Sequence, residues 1–86
     1  MKHHKREILN KLCYTELVYG CIRKKLSIDL PDQEIEEFII KLIEETLEED
    51  IKIHGKNFYL ENKREMIKIT VNRNTYRVIT VDRMNN

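Results

Sequence analysis

From Ile51 to Arg83 the chain alternates apolar and polar residues with a period of two. Ile51/Ile53, Phe58/Leu60 and Ile67/Ile69/Val71 share one face of extended backbone, and Lys52, Tyr59, Lys68 and Thr70 share the other. Turn-forming residues fall where strands should end: Gly55-Lys56, Asn62-Lys63-Arg64 and Asn72-Arg73-Asn74. Asn and Gly tolerate the left-handed backbone of tight hairpins. The pattern predicts an antiparallel meander of three or four strands near 51–54, 57–61, 66–72 and 75–82, with one face for a core. The last strand changes phase, since Tyr76 and Val78 fall on one face and Ile79 and Val81 on the other. A bulge between Val78 and Ile79, or an inner strand covered on both sides, accounts for that change.

Before Asp50 the apolar spacing is helical. Ile8, Leu9 and Leu12 predict a short helix over about 5–12, and the chain turns near Cys13-Tyr14. Leu17, Val18, Cys21, Ile22 and Leu26 predict a second helix over 15–26. Thr15 or Tyr14 is near its cap, Glu16 is in its first turn and Arg23-Lys24-Lys25 are in its last. Gly20 lowers helix propensity there and is read as a point of close packing against the sheet. Pro31 suits the first turn of a third helix over 31–49. Ile35, Phe38, Ile39, Leu42, Ile43 and Leu47 form its apolar stripe, with Glu36, Glu37, Lys41, Glu44, Glu45 and Glu48 outside. Glu48-Glu49-Asp50 oppose the helix dipole at its C-terminus, so fraying or a nearby lysine is expected there. The fold class is α+β, with two or three N-terminal helices packed on one face of the meander.

Eighty-six residues make one domain, spanning 1–86. It divides into a basic arm with helices (1–30), an acidic helix (31–50) and the meander (51–83). So small a chain buries roughly 60–65% of its extended surface, which makes self-association as a homodimer one expectation. No run approaches the ~20 apolar residues that span a bilayer, and the basic Met1–Arg6 lacks the apolar stretch of a secretory signal. The expected location is cytoplasmic, with no membrane partner. Cys13 and Cys21 lie about 12 Å apart along one helix at ~1.5 Å per residue, too far for a disulfide. Two cysteines with His3, His4 and His54 show no metal-ligand spacing, and nothing calls for a cofactor.

Net charge is only +1, but it is segregated. Residues 1–30 carry a net +4, residues 31–50 a net −8 and residues 51–86 a net +5. A basic sheet beside an acidic helix makes a dipolar molecule, whose basic surface suits phosphate or acidic groups. Lys56, Lys68, Arg73 and Arg77 are the candidate binding residues.

Thr15-Glu16-Leu17, Gly55-Lys56-Asn57-Phe58-Tyr59, and Ile69-Thr70-Val71-Asn72 followed by Tyr76-Arg77-Val78-Ile79-Thr80 carry a resemblance over about residues 5–83. On these motifs the chain resembles a large family of small bacterial domains of unknown function, common in Firmicutes. The resemblance implies no activity. The chain departs from that family near Cys13 and Tyr14 and at Val81-Asp82, where members carry histidine. A fold-level likeness, helices followed by a meander, is similar to small ribonucleases and toxins of the barnase and RelE kind.

Candidate chemistry is sparse. His54 titrates near neutrality and precedes Gly55-Lys56, so with Tyr76, Arg77 and Thr80 it forms the candidate set for metal-free phosphate-ester chemistry. Tyr14, Tyr19 and Tyr59 are candidates for stacking on bases. No Gly-rich phosphate loop, nucleophile elbow or DNA-reading helix is present. Two classes stay open. The favoured one is a binding or regulatory module for a protein or RNA partner, compatible with a gene on a mobile element. The alternative is a toxin-like, metal-independent ribonuclease. Convergence of His54, Tyr76 and Arg77 in one concave patch separates the two.

Overall fold

The computed structural model describes residues 4–84, so the first three residues of the basic arm and the last two of the chain lie outside it. Three helices, α1 (His4–Lys11), α2 (Glu16–Leu26) and α3 (Asp32–Glu45), precede a 3-10 turn at Glu48–Asp50. Four strands follow: β1 (Ile51–His54), β2 (Asn57–Asn62), β3 (Ile67–Asn72) and β4 (Val78–Arg83). They form one antiparallel sheet in chain order, the meander expected from the alternation.

Register explains the core. Ile51, Leu60, Ile69 and Val81 are successive cross-strand partners, and all four are buried. Phe58, Val71 and Val78 form a parallel row beside them. These side chains join Ile8 of α1, Val18, Ile22 and Leu26 of α2, and Ile35, Ile39, Leu42 and Ile43 of α3 in one apolar cluster. The helices therefore lie on one face of the sheet.

The phase change in β4 is a bulge. Thr70 pairs with Thr80 but Val71 pairs with Val78, leaving Ile79 as the extra residue. Val78 is buried whereas Ile79 is 46% exposed, which rules out two-sided burial. β4 also starts later than the expected Thr75. Tyr76 has φ 60°, a left-handed backbone that a strand cannot contain, and its N–H donates to Asn72 O at 2.8 Å.

Several helical expectations change. α3 stops at Glu45, where Thr46 turns extended and its hydroxyl donates to Leu42 O at 2.7 Å. Leu47, expected in the apolar stripe, is consequently exposed. The lysine expected near this acidic terminus is Lys5, whose Nζ donates to Glu44 O and Thr46 O at 2.8 Å each. Pro31 is the N-cap of α3, just before its first turn. In α2 the inward stripe is Val18, Ile22 and Leu26, leaving Leu17 and Cys21 exposed. A Cβ on Gly20 would meet nothing within 4 Å, so that glycine marks no close packing.

Candidate functional site

Lys52, Tyr59, Thr70 and Thr80 are cross-strand partners on the sheet face opposite the helices. Their charged neighbours alternate in sign. Lys52 Nζ lies 3.3 Å from Glu61 Oε1, Lys68 is the cross-strand partner of Asp82, and Lys25 reaches Asp82 at 2.7 Å from the end of α2. The central face is therefore close to charge-balanced. Tyr59 sits within it, with Lys68 Nζ 5.8 Å from its ring centroid and the His54 ring 6.5 Å away. Asn57 Nδ2 donates to the Tyr59 hydroxyl at 3.3 Å.

The uncompensated charge lies at one end of the sheet, where the β1–β2 and β3–β4 turns meet. Gly55, at φ 61°, supplies the left-handed residue of the first turn. In the second, Asn72 Oδ1 accepts from the N–H groups of Asn74 and Thr75 at 2.8 and 2.9 Å, which curls the chain back. The Arg73 N–H donates to Lys56 O at 2.8 Å, extending the Asn57–Asn72 pairing by one residue, and Arg73 Nη1 donates to Gly55 O at 3.3 Å. Lys56 and Arg73 are thus held as cross-strand neighbours of like charge. No Asp or Glu occurs from His54 to Leu60 or from Met66 to Val81. Among the described residues Lys56, Arg73 and Arg77 make no ion pair, while at the far end Lys63 meets Asp50 at 3.1 Å.

Tyr76 faces the other way. Its ring lies 6.0 Å from that of the buried Phe58, its hydroxyl donates to Glu7 Oε1 at 2.5 Å, and Lys11 Nζ stands 5.2 Å over the ring. That hydrogen bond, with Lys11 adding to it, lowers the Glu7 carboxyl below its ordinary pKa and raises that of the Tyr76 phenol. The segment is held further by the Cys13 N–H on Tyr76 O at 2.9 Å and the Val78 N–H on Cys13 O at 3.0 Å. Elsewhere, Tyr14 and Tyr19 stack at 5.5 Å, and donation to Glu36 pushes the Tyr19 phenol up to about 12. Burial raises the Tyr14 phenol above its ordinary pKa.

Of the four candidates for phosphate-ester chemistry, His54 and Thr80 lie on the outer face and Tyr76 on the helix side, while Arg77 is exposed beside Cys13. Surface depressions run along α1, one lined by Lys5, Leu9 and Glu48 and another by His4, Glu49 and Ile53, and His54 lines neither. Of the binding candidates, Lys56 and Arg73 come together, Arg77 closes the same turn, and Lys68 stands apart over Tyr59. The Glu7–Tyr76 contact had no sequence signal, because the two residues come from opposite ends of the chain. Among the described residues no cluster of three or more His, Cys, Asp or Glu side chains is placed to hold a metal ion. Nor is any helix among them long and apolar enough to cross a membrane.

A family model described as "Protein of unknown function (DUF3781)" matches residues 6–82, nearly the whole chain. No curated protein and no solved structure gives a significant match.

Proposed function

The chain belongs to the DUF3781 family of proteins of unknown function, and from that premise we propose that it is a small binding or regulatory module. It engages a protein or RNA partner through negative groups drawn to the paired turns of its sheet. The observation that carries this reading is the Lys56–Arg73 neighbour pair. Like charges directly opposite on adjacent strands are destabilising. A fold that holds two cations in register, in an acid-free turn closed by the Arg77 carbonyl, retains an electrostatic cost that an anionic partner would relieve. Two free cysteines agree with a reducing compartment, so we place this action in the cytoplasm.

The ribonuclease reading draws on His54 lying at the same end of the sheet as Lys56. General acid–base cleavage needs a second proton-transfer group within reach of the same phosphate. Tyr76 would have to supply it from the opposite side of the sheet, where its hydroxyl is bonded to Glu7. The binding module is therefore preferred. Capture from host lysate on the immobilised chain, with mass spectrometry and RNA sequencing of the eluate, tests it against the Lys56→Ala/Arg73→Ala variant. A retained species lost both in that variant and at raised salt is expected. Equal retention by the two proteins contradicts the proposal.

A further inference from the structure

We propose that the outward face of α2, with the neighbouring edge of β4, is a two-fold contact for a second copy of this chain. The two α2 helices lie antiparallel in it, and neither Lys56 nor Arg73 takes part. The chain enters α2 from the Cys13–Arg77 bridge, and Lys25 in the last turn of α2 reaches Asp82. Helix and strand therefore run side by side in the same direction, with Ile79 in the stretch of β4 between those two ties. Val18, Ile22 and Leu26 turn to the core, which leaves Leu17, Gly20, Cys21 and Lys24 on the opposite side at helical spacing, all four exposed. Leu17 is 87% exposed, and the bulged Ile79 is 46% exposed.

Two observations say what covers this face. Gly20 weakens the helix relative to alanine, yet a Cβ there would meet nothing within 4 Å, so the protomer itself makes no use of the missing side chain. In the middle of the stripe a glycine lets the backbone of a second helix come close. The other observation is charge. Glu16 opens α2 and Lys24 lies in its last turn; both are exposed, and among the described residues neither makes an ion pair. An antiparallel pair centred between Gly20 and Cys21 sets Glu16 of each helix near Lys24 of the other, and sets the two helix dipoles head to tail. A parallel pair would bring like charges together, and a partner of one sign would satisfy only one end. The face is thus self-complementary, as a two-fold interface requires. The 11 residues of α2 give a contact only about 16 Å long, so the dimer should be weak, with a micromolar dissociation constant.

Sedimentation velocity of the full chain from micromolar to millimolar concentration tests this, with each variant checked for folding by circular dichroism. Wild type should pass from monomer to dimer across that range. Leu17→Lys, which leaves the core untouched, should raise the dissociation constant about tenfold or more. Gly20→Ala should raise it too, although the monomer keeps its fold. Glu16→Lys should weaken the dimer, and adding Lys24→Glu should restore it, a rescue that a role within one protomer would not produce. A short bismaleimide should join two chains through Cys21 and leave Cys21→Ser uncoupled. A wild type that stays monomeric at millimolar concentration overturns the proposal. A dimer that forms equally well in Leu17→Lys and Glu16→Lys overturns the assignment to α2, because the contact then lies elsewhere.

Discussion

The backbone N–H of Arg73 donates to the carbonyl of Lys56 at 2.8 Å, which places two cationic side chains opposite one another at the end of the β2–β3 ladder. Neither hairpin alone would do this. Gly55 folds the first turn and the Asn72 side chain curls the second, and only the β2–β3 register brings them side by side. No acid occurs from His54 to Leu60 or from Met66 to Val81, and among the described residues neither Lys56 nor Arg73 makes an ion pair.

Charge reversal at one member of that pair should separate stability from binding. Lys56→Glu places a carboxylate opposite Arg73, and opposite-charge cross-strand pairs contribute about 0.2–1 kcal/mol. The variant should therefore melt at or slightly above the wild-type temperature while binding an anionic probe more weakly. A variant that melts lower and binds as before would show the pair to be structural.

Gly20→Ala should stabilise the protein by about 0.5–1 kcal/mol in urea unfolding. The position lies inside α2, and a methyl there meets nothing within 4 Å. A destabilised variant would reveal a close approach that the fold does not contain.

The β3–β4 register, with its bulge, fixes which side chains are buried. Ile69→Ala, in the centre of the buried row, should cost about 2–5 kcal/mol. Ile79→Thr should stay within about 0.5 kcal/mol of wild type, since Ile79 is the bulged, exposed residue. Equal costs at the two sites would mean that β4 is covered on both faces.

The Glu7–Tyr76 contact should make stability pH-dependent. Glu7 has a lowered pKa in the folded state, chiefly from the Tyr76 hydroxyl and then from Lys11. Its contribution is therefore present above the ordinary glutamate pKa and is lost as pH falls through the lower, folded value. Wild type should hold its melting-temperature advantage over Glu7→Gln at neutral pH and lose it as pH falls below the ordinary glutamate range. A difference between the two that stays constant across that range would contradict the assignment.

Much of this fold is readable from periodicity. The switch from helical to alternating spacing near Asp50 locates the meander, and the misphased Tyr76-Arg77-Val78-Ile79 locates the bulge. The acidic end of α3 calls for a cation, and Lys5 provides it. What stayed hidden depends on tertiary contact. Leu17 fits the α2 stripe by spacing, yet it is 87% exposed because the helix rests on Val18, Ile22 and Leu26. The candidate site was legible as a set of cations but not as a place. Lys56, Lys68, Arg73 and Arg77 look equivalent along the chain, and only cross-strand register separates the paired turns from Lys68 beside Asp82.

Anion binding at the paired turns is tested most directly by the salt dependence of oligouridylate and oligoglutamate affinity for wild type and Lys56→Ala/Arg73→Ala. For the RNA probe, each lost phosphate contact should flatten the plot of log affinity against log salt by about 0.7, so the double variant should lose about 1.4 from the slope. Its melting temperature should stay close to that of wild type. An unchanged slope with both probes would contradict the account and leave Lys56 and Arg73 as merely solvated residues.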